Sequence, residues 1–218
     1  MTSKKLVISQ LIRGEERRKF KDIIKALALV IDLAEGHIQH GYNVALSAVQ
    51  LGQYLGLSVR SLRNLFYGGL LHDVGEVGFP KENPTFQQFD RFEWQYHEYI
   101  RPHPLIGEAI VQHLPTLEEA SRLVRWHHEA WDGKGYPDRL KGDNIPLEAQ
   151  IICLCDMYDN AWSTYATSLE VANQKLNLLI GHQFDPGLVQ RFQQLMNETE
   201  LWNADNFDEQ SWLELGID

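Results

Sequence analysis

The chain has 218 residues, 44% of them hydrophobic, with a formal net charge of −10. That length buries one good core, and an acidic surface does not wrap a nucleic-acid polymer, so an anionic substrate has to be drawn in by bound metal rather than by a general basic field. No apolar run reaches the roughly 18 residues of a membrane span, and MTSKKLVISQLIRGEERRKF has no signal-like core, so a cytoplasmic protein without membrane contact is expected.

Helical periodicity dominates the chain. Behind an extension over 1–14, Phe20, Ile23, Ile24, Leu27, Val30 and Leu33 recur at spacings of three and four and predict an amphipathic helix over 15–35. Val44, Ala48, Leu51 and Leu55 predict a second, closed by Gly56. Ser58 is placed to cap a third, which carries Leu62, Leu65, Phe66 and Leu70 into His72-Asp73. GEVGFPKENPT then breaks the pattern as a loop. Helices are expected again over 90–114, bent at Pro102 and Pro104, and over 117–131. DGKGYPDRLKGDNIP is an irregular connector of a length that is often functional. Further helices follow over 147–164, 169–179 and 186–196. Cys153 and Cys155 lie about 200° apart around one of these, which reads as packing in a reducing compartment rather than a metal clip. The fold class is all-α, one domain over 15–197, followed by an acidic tail over 198–218 that carries Trp and Leu.

Chemistry concentrates at His72-Asp73, His103 and His127-His128, in the strings LLHDVGEVGFP, RPHPLIGEAI and RWHHEAWDGKGYP. A single histidine is usually a packing residue, but neighbours on one helix differ by about 100°, so His127 and His128 cannot both face one core. Two imidazoles at a helix end, before an acid and a Gly-rich loop, are better explained by convergence on metal ions such as Fe, Mn or Zn. Asp73 and Asp156 interrupt the apolar strings GGLLHDVG and IICLCDMYD, where an uncompensated carboxylate is costly and a cation removes the cost. His37, His97, His113 and His182 lie outside such strings and read as surface or packing residues.

At these residues the chain resembles the HD-GYP family of the HD phosphohydrolase superfamily, whose known activity is hydrolysis of cyclic di-GMP. The matching strings are HGYNVALSAVQLGQYLGLS, LLHDVGEVGFP, HPLIGEAI, HHEAWDGKGYPDRLKGDNIPLEAQIICLCDMYDN and FDPGLV, in family order, with Asp156 28 positions after His128. The resemblance implies an HD-domain helical bundle with a C-terminal helical extension. It also implies two divalent transition-metal ions, Fe or Mn. His40, His72 and Asp156 would hold one ion and His103, His127 and His128 the other. Asp73, the catalytic carboxylate, would bridge them, together with the water or hydroxide that attacks the phosphodiester. Gly36 stands where some members carry a third-ion glutamate, so two ions are expected.

The chain also departs from the family pattern. Glu76 replaces the lysine that normally ends HDxGK and reaches the substrate phosphate. DNAWSTYATS lacks the arginine of the usual RPY-type string, and Gln150 replaces the arginine after IPL. Glu76 and Lys134 are the substrate-contact candidates. Gly135, Tyr136 and Pro137 form either a rigid connector or, by family precedent, a contact for a diguanylate cyclase (GGDEF) protein. Three functions stay open: a phosphodiesterase acting on a cyclic dinucleotide, a phosphohydrolase of another phosphorylated substrate, and a metal-holding domain that senses a ligand or binds a partner.

Overall fold

The structure is a computed structural model that describes residues 2–35, 38–79, 100–165 and 169–198. The fold is all-α. Among the described residues the β structure is confined to an isolated bridge between Ile180 and Phe184.

Helix α1 (Thr2–Glu35) runs straight through Gly14, so the expected boundary after residue 14 falls inside one continuous helix. Ile24, Ala28 and Ile31 form its core-facing stripe, whereas Ile23, Val30 and Leu33 are exposed. Periodicity could not separate these sets, because both sides of the helix carry apolar residues at helical spacing. Gln39 turns the chain with a φ of 70°, and its N–H donates to the buried Asp32 carboxylate at 2.8 Å. That contact sets where α2 (His40–Tyr54) begins. Ser58 caps α3 (Val59–Leu71), its Oγ accepting the Ser61 N–H at 3.2 Å.

The expected loop after Asp73 starts as a 3-10 turn, Val74–Gly78. Residues 80–99, with the start of the helix expected from Asp90, lie outside the described residues, as do His37, His97 and the tail from 199. Helix α4 (His103–Val111) takes Pro104 in its first turn, where a missing N–H breaks no helical bond. Helix α5 (Glu118–Trp126) stops short of the expected Trp131, closed by the Glu129 N–H donating to the Trp126 carbonyl at 3.0 Å. Helices α6 (Leu147–Tyr165), α7 (Leu169–Leu179) and α8 (Pro186–Glu198) follow a connector that contains a short 3-10 turn, Gly142–Asn144.

Helix α2 packs on α3 and α6, α3 on α5, and α4 on α5. Leu46, Leu51, Leu65, Phe66 and Ile152 are fully buried in this packing, as is Phe192 of α8. Each such side chain contributes about 1.5–3 kcal/mol relative to exposure. The packing brings the start of α2, the end of α3, the start of α4 and the end of α5 against the middle of α6.

Candidate metal centre

The candidate ligands sit where helices begin or end. His40 opens α2, His72 and Asp73 follow α3, His103 opens α4, His127 and His128 follow α5, and Asp156 lies within α6. All are buried except the half-buried His128. The turn after Asp73 presses directly on α4: a Cβ at Gly75 would lie 2.0 Å from the His103 carbonyl oxygen. Only glycine allows that approach, and it brings Asp73 to His103.

The seven side chains form two groups, Asp73 with His103, His127 and His128, and His40 with His72 and Asp156. Asp73 joins them through different oxygens. Its Oδ1 lies 3.2 Å from His103 Nε2 and 3.6 Å from His127 Nε2, and its Oδ2 lies 3.1 Å from His72 Nε2. Asp156 Oδ1 completes the second group at 3.2 Å from His40 Nε2 and 3.6 Å from His72 Nε2.

Every inward Nε2 of His72, His103 and His127 is set by the opposite ring nitrogen. His72 Nδ1 lies 2.7 Å from the Gly69 carbonyl, His103 Nδ1 2.8 Å from that of Ile100, and His127 Nδ1 2.7 Å from that of Val124. A carbonyl only accepts, so each Nδ1 carries the proton and each Nε2 turns its lone pair inward, the arrangement of a metal-ligating imidazole. His40 uses Asp159 in the same way, Nδ1 to Oδ2 at 2.6 Å. His103 Nε2 and His127 Nε2 are only 3.1 Å apart. Two lone pairs that close require a proton or a cation between them, so the donor set fits a metal.

The electrostatics divide the cage, favouring protons on some rings and disfavouring them on others. Burial alone would lower His40, but Asp156 and Asp159 outweigh it and push its pKa up to about 10. His72 is raised against burial by Asp73 and Asp156, and His103 by Asp73 and Glu76. His127 and His128 go down, through burial and the positive charge of neighbouring imidazoles. Burial would raise Asp73 and Asp156, but their histidine partners hold both below the usual carboxylate range.

Past α5, the His127 and His128 ring centroids are 4.0 Å apart, a convergence that a continuing helix would forbid. The acid after them is not in either group. Glu129, 2% exposed, accepts the Asp138 N–H at 2.6 Å and the Leu140 N–H at 2.8 Å and so ties the Gly-rich loop down. Asp138 in turn accepts from Arg125 Nε and Nη2, at 2.7 and 2.8 Å, and from the Trp126 indole N–H at 2.7 Å. Gly135 lies so close to the chain that its Cβ would be 2.2 Å from the Ala130 nitrogen. Tyr136 turns inward and stacks on His128 at 4.9 Å, with the Arg101 guanidinium 5.1 Å from its ring centroid. Pro137 is half-buried. Glu76 is 4% exposed and acts electrostatically on His103, whereas Lys134 is exposed and pairs with Asp132 at 3.2 Å. Gln150 donates to the Ile145 carbonyl, and His113 and His182 lie at the surface.

A cavity of about 570 Å³ opens beside His128 and Asp156, lined by α6, α7 and the Gly-rich loop. Sequence reasoning missed Asn160 and Gln183, which line it, and Asp159, which holds His40. The only hint was their place within or near DMYDN and FDPGLV: Asn160 acts through Asp156 one turn earlier, whereas Asp159 and Gln183 act through neighbours that only the fold supplies.

The HD domain family model matches residues 21–188. A cyclic di-GMP phosphodiesterase of Vibrio cholerae is 33% identical over 139 residues, covering 59% of this chain and 28% of that protein. A 3'3'-cGAMP-specific phosphodiesterase of the same organism is 27% identical over 186 residues, covering 80% and 34%. A cyclic di-GMP phosphodiesterase of Thermotoga maritima is 26% identical over 183 residues, covering 79% and 48%. The chain thus spans less than half the length of these relatives. The solved structure of a cyclic GMP-AMP specific phosphodiesterase from V. cholerae matches 89% of this chain and 53% of its own, with a TM-score of 0.68 at 21% identity. An HDG"Y"P protein from Bdellovibrio bacteriovorus matches 83% of this chain and 64% of its own, with a TM-score of 0.61 at 17% identity.

Proposed function

The chain belongs to the HD domain family, and from that premise we propose that it is a metal-dependent phosphodiesterase of a cyclic dinucleotide, cyclic di-GMP foremost. The observation that carries this reading is Asp73, whose two oxygens face two separate groups of buried ligands. Two ions of Fe or Mn held there would acidify a water and neutralise phosphate oxygens.

The chain's own residues supply the rest. The carbonyls of Gly69, Ile100 and Val124 hold three rings in one tautomer, and Asp159 holds the fourth. Burial of the centre keeps bulk water out, which strengthens every charge interaction within it. The adjoining cavity gives a ligand larger than a phosphate somewhere to lie. The named activities of the relatives support a cyclic dinucleotide as that ligand.

A second reading, a metal-holding domain that senses a ligand or binds a partner, is favoured by one observation. The buried carboxylate of Glu76 stands by His103 where the resemblance calls for a lysine. A GGDEF protein would meet the exposed Lys134, Asp138 and Arg139 of the loop, because Tyr136 faces inward. The buried, unbridged Cys153 and Cys155 suit a reducing compartment such as the cytoplasm.

The test is turnover after Mn or Fe loading, with cyclic di-GMP, 3'3'-cGAMP, pGpG and a generic phosphodiester compared on one preparation. Faster cleavage of a cyclic dinucleotide than of the generic ester is expected. Cleavage of the generic ester alone would point to another phosphorylated substrate. No turnover with both ions bound would leave the sensing reading.

A further inference from the structure

The cavity beside the centre shares His128 with one ligand group and Asp156 with the other, so whatever fills it lies against both. Met157, Leu179 and Phe184 give it apolar walls suited to a flat heteroaromatic ring. Its volume of about 570 Å³ is in the range of small-molecule sites.

Two side-chain amides line it, and the protein has already engaged their nitrogens. Asn160 Nδ2 donates to Asp156 Oδ1 at 2.6 Å. Gln183 Nε2 donates to the Glu129 carbonyl at 3.4 Å and to Cys153 Sγ at 3.2 Å. An amide held by its nitrogen offers its carbonyl oxygen, which only accepts. Lys175 brings an ammonium, which only donates, to the same cavity.

We propose that this cavity seats a nucleobase of the substrate and selects guanine over adenine through the carbonyl oxygens of Asn160 and Gln183. The inference rests on the cyclic dinucleotide reading and adds to it the base that is read and the residues that read it. Guanine presents two neighbouring donors, N1–H and the N2 amino group, with O6 and N7 as acceptors. Adenine presents one donor group, the N6 amine, beside an N1 acceptor that would face a carbonyl oxygen unfavourably. Two carbonyl acceptors complement the two neighbouring donors of guanine. Asn160 has a further consequence, because the same side chain that meets the base also braces a candidate metal ligand.

Equilibrium binding of GMP, IMP and AMP to the Mn-loaded full chain tests this, with metal content measured in parallel. GMP is expected to bind about tenfold or more tighter than AMP, as a well-made base-edge contact requires. IMP, which keeps N1–H but lacks the N2 amine, falls between them. Gln183→Met keeps the length and loses the acceptor, so it should bring the GMP-to-AMP ratio towards one with metal content unchanged. Should that variant fail to fold, Leu179→Trp fills the cavity instead and should abolish nucleotide binding while the ions stay bound. Equal affinity for GMP and AMP overturns the inference, as does a ratio that survives Gln183→Met or binding that survives Leu179→Trp. Cleavage of cyclic dinucleotides without base preference overturns this inference alone. Loss of both cleavage and binding in the metal-loaded protein takes the functional reading with it.

Discussion

His40 Nδ1 lies 2.6 Å from Asp159 Oδ2, so the ring that opens α2 is held by a side chain three residues beyond Asp156 on α6. The other anchored rings use the backbone of their own vicinity, which no substitution removes. His40 is therefore the ring whose aim a mutation can release. Asp159→Ala should weaken metal binding about 10- to 100-fold, the usual effect of removing a partner of a ligating imidazole. Asp159→Asn keeps an acceptor and should lose less. Titration with Mn measures both, and an unchanged affinity in Asp159→Ala would show that the contact does not orient the ring.

Asp73 sets a different expectation. Because its two oxygens face separate groups, Asp73→Ala should lower occupancy at both positions, whereas Asp156→Ala should spare the group of His103, His127 and His128. Elemental analysis of loaded protein should give two ions per chain for the unmodified sequence and fewer than one for Asp73→Ala. Two ions retained in Asp73→Ala would rule out the bridge.

Metal affinity should rise with pH. His40, with a pKa pushed up to about 10, and His72, raised well above the ordinary imidazole value, carry protons at neutral pH that a bound cation must displace. A group whose pKa is raised releases its proton only as pH climbs, so the apparent association constant should increase about tenfold or more per pH unit between roughly 6.5 and 9. Calorimetry in buffers of different ionisation heat counts the released protons directly. A pH-independent affinity over that range would contradict the electrostatics of the cage.

Glu76, buried and acting electrostatically on His103, stands where the resemblance calls for a phosphate-binding lysine. A like charge at 4 Å opposes a phosphate by about 1 kcal/mol in water and about 4 kcal/mol at an effective dielectric of 20. Glu76→Lys should therefore tighten cyclic di-GMP binding about tenfold or more and raise turnover at unchanged metal content. Joint loss of metal and activity would instead make Glu76 a ligand. No change in any of the three would place it outside the substrate's reach.

Glu129 tests the scaffold rather than the chemistry. It satisfies the N–H groups of Asp138 and Leu140, and a buried unsatisfied donor costs about 1–3 kcal/mol. Glu129→Ala should destabilise the fold by about 2–5 kcal/mol, and Glu129→Gln, with one acceptor left, by about half of that. Denaturant unfolding at fixed metal concentration reads the difference. A loss under 0.5 kcal/mol, the ordinary size of a surface change, would show that the loop holds itself.

Residue spacing carried the helical character and most of the helix limits, and it singled out the candidate ligands, because these are local patterns. Leu169–Leu179 begins and ends where periodicity puts it, and Ser58 caps α3 by a contact within its own turn. The tertiary structure alone decided the rest. It assigned Ile23 and Val30 to solvent and Ile24 and Ile31 to the core, because one helix cannot reveal which of two apolar stripes will be covered. It gave Asp73 one oxygen for each group, Asp159 to His40, and the Gln183 amide nitrogen to Glu129 and Cys153. Residues 119 apart, as His40 and Asp159 are, meet only when α2 packs on α6. Hydrogen-bond direction depends on that packing at the scale of tenths of an ångström, which residue spacing along a chain does not carry.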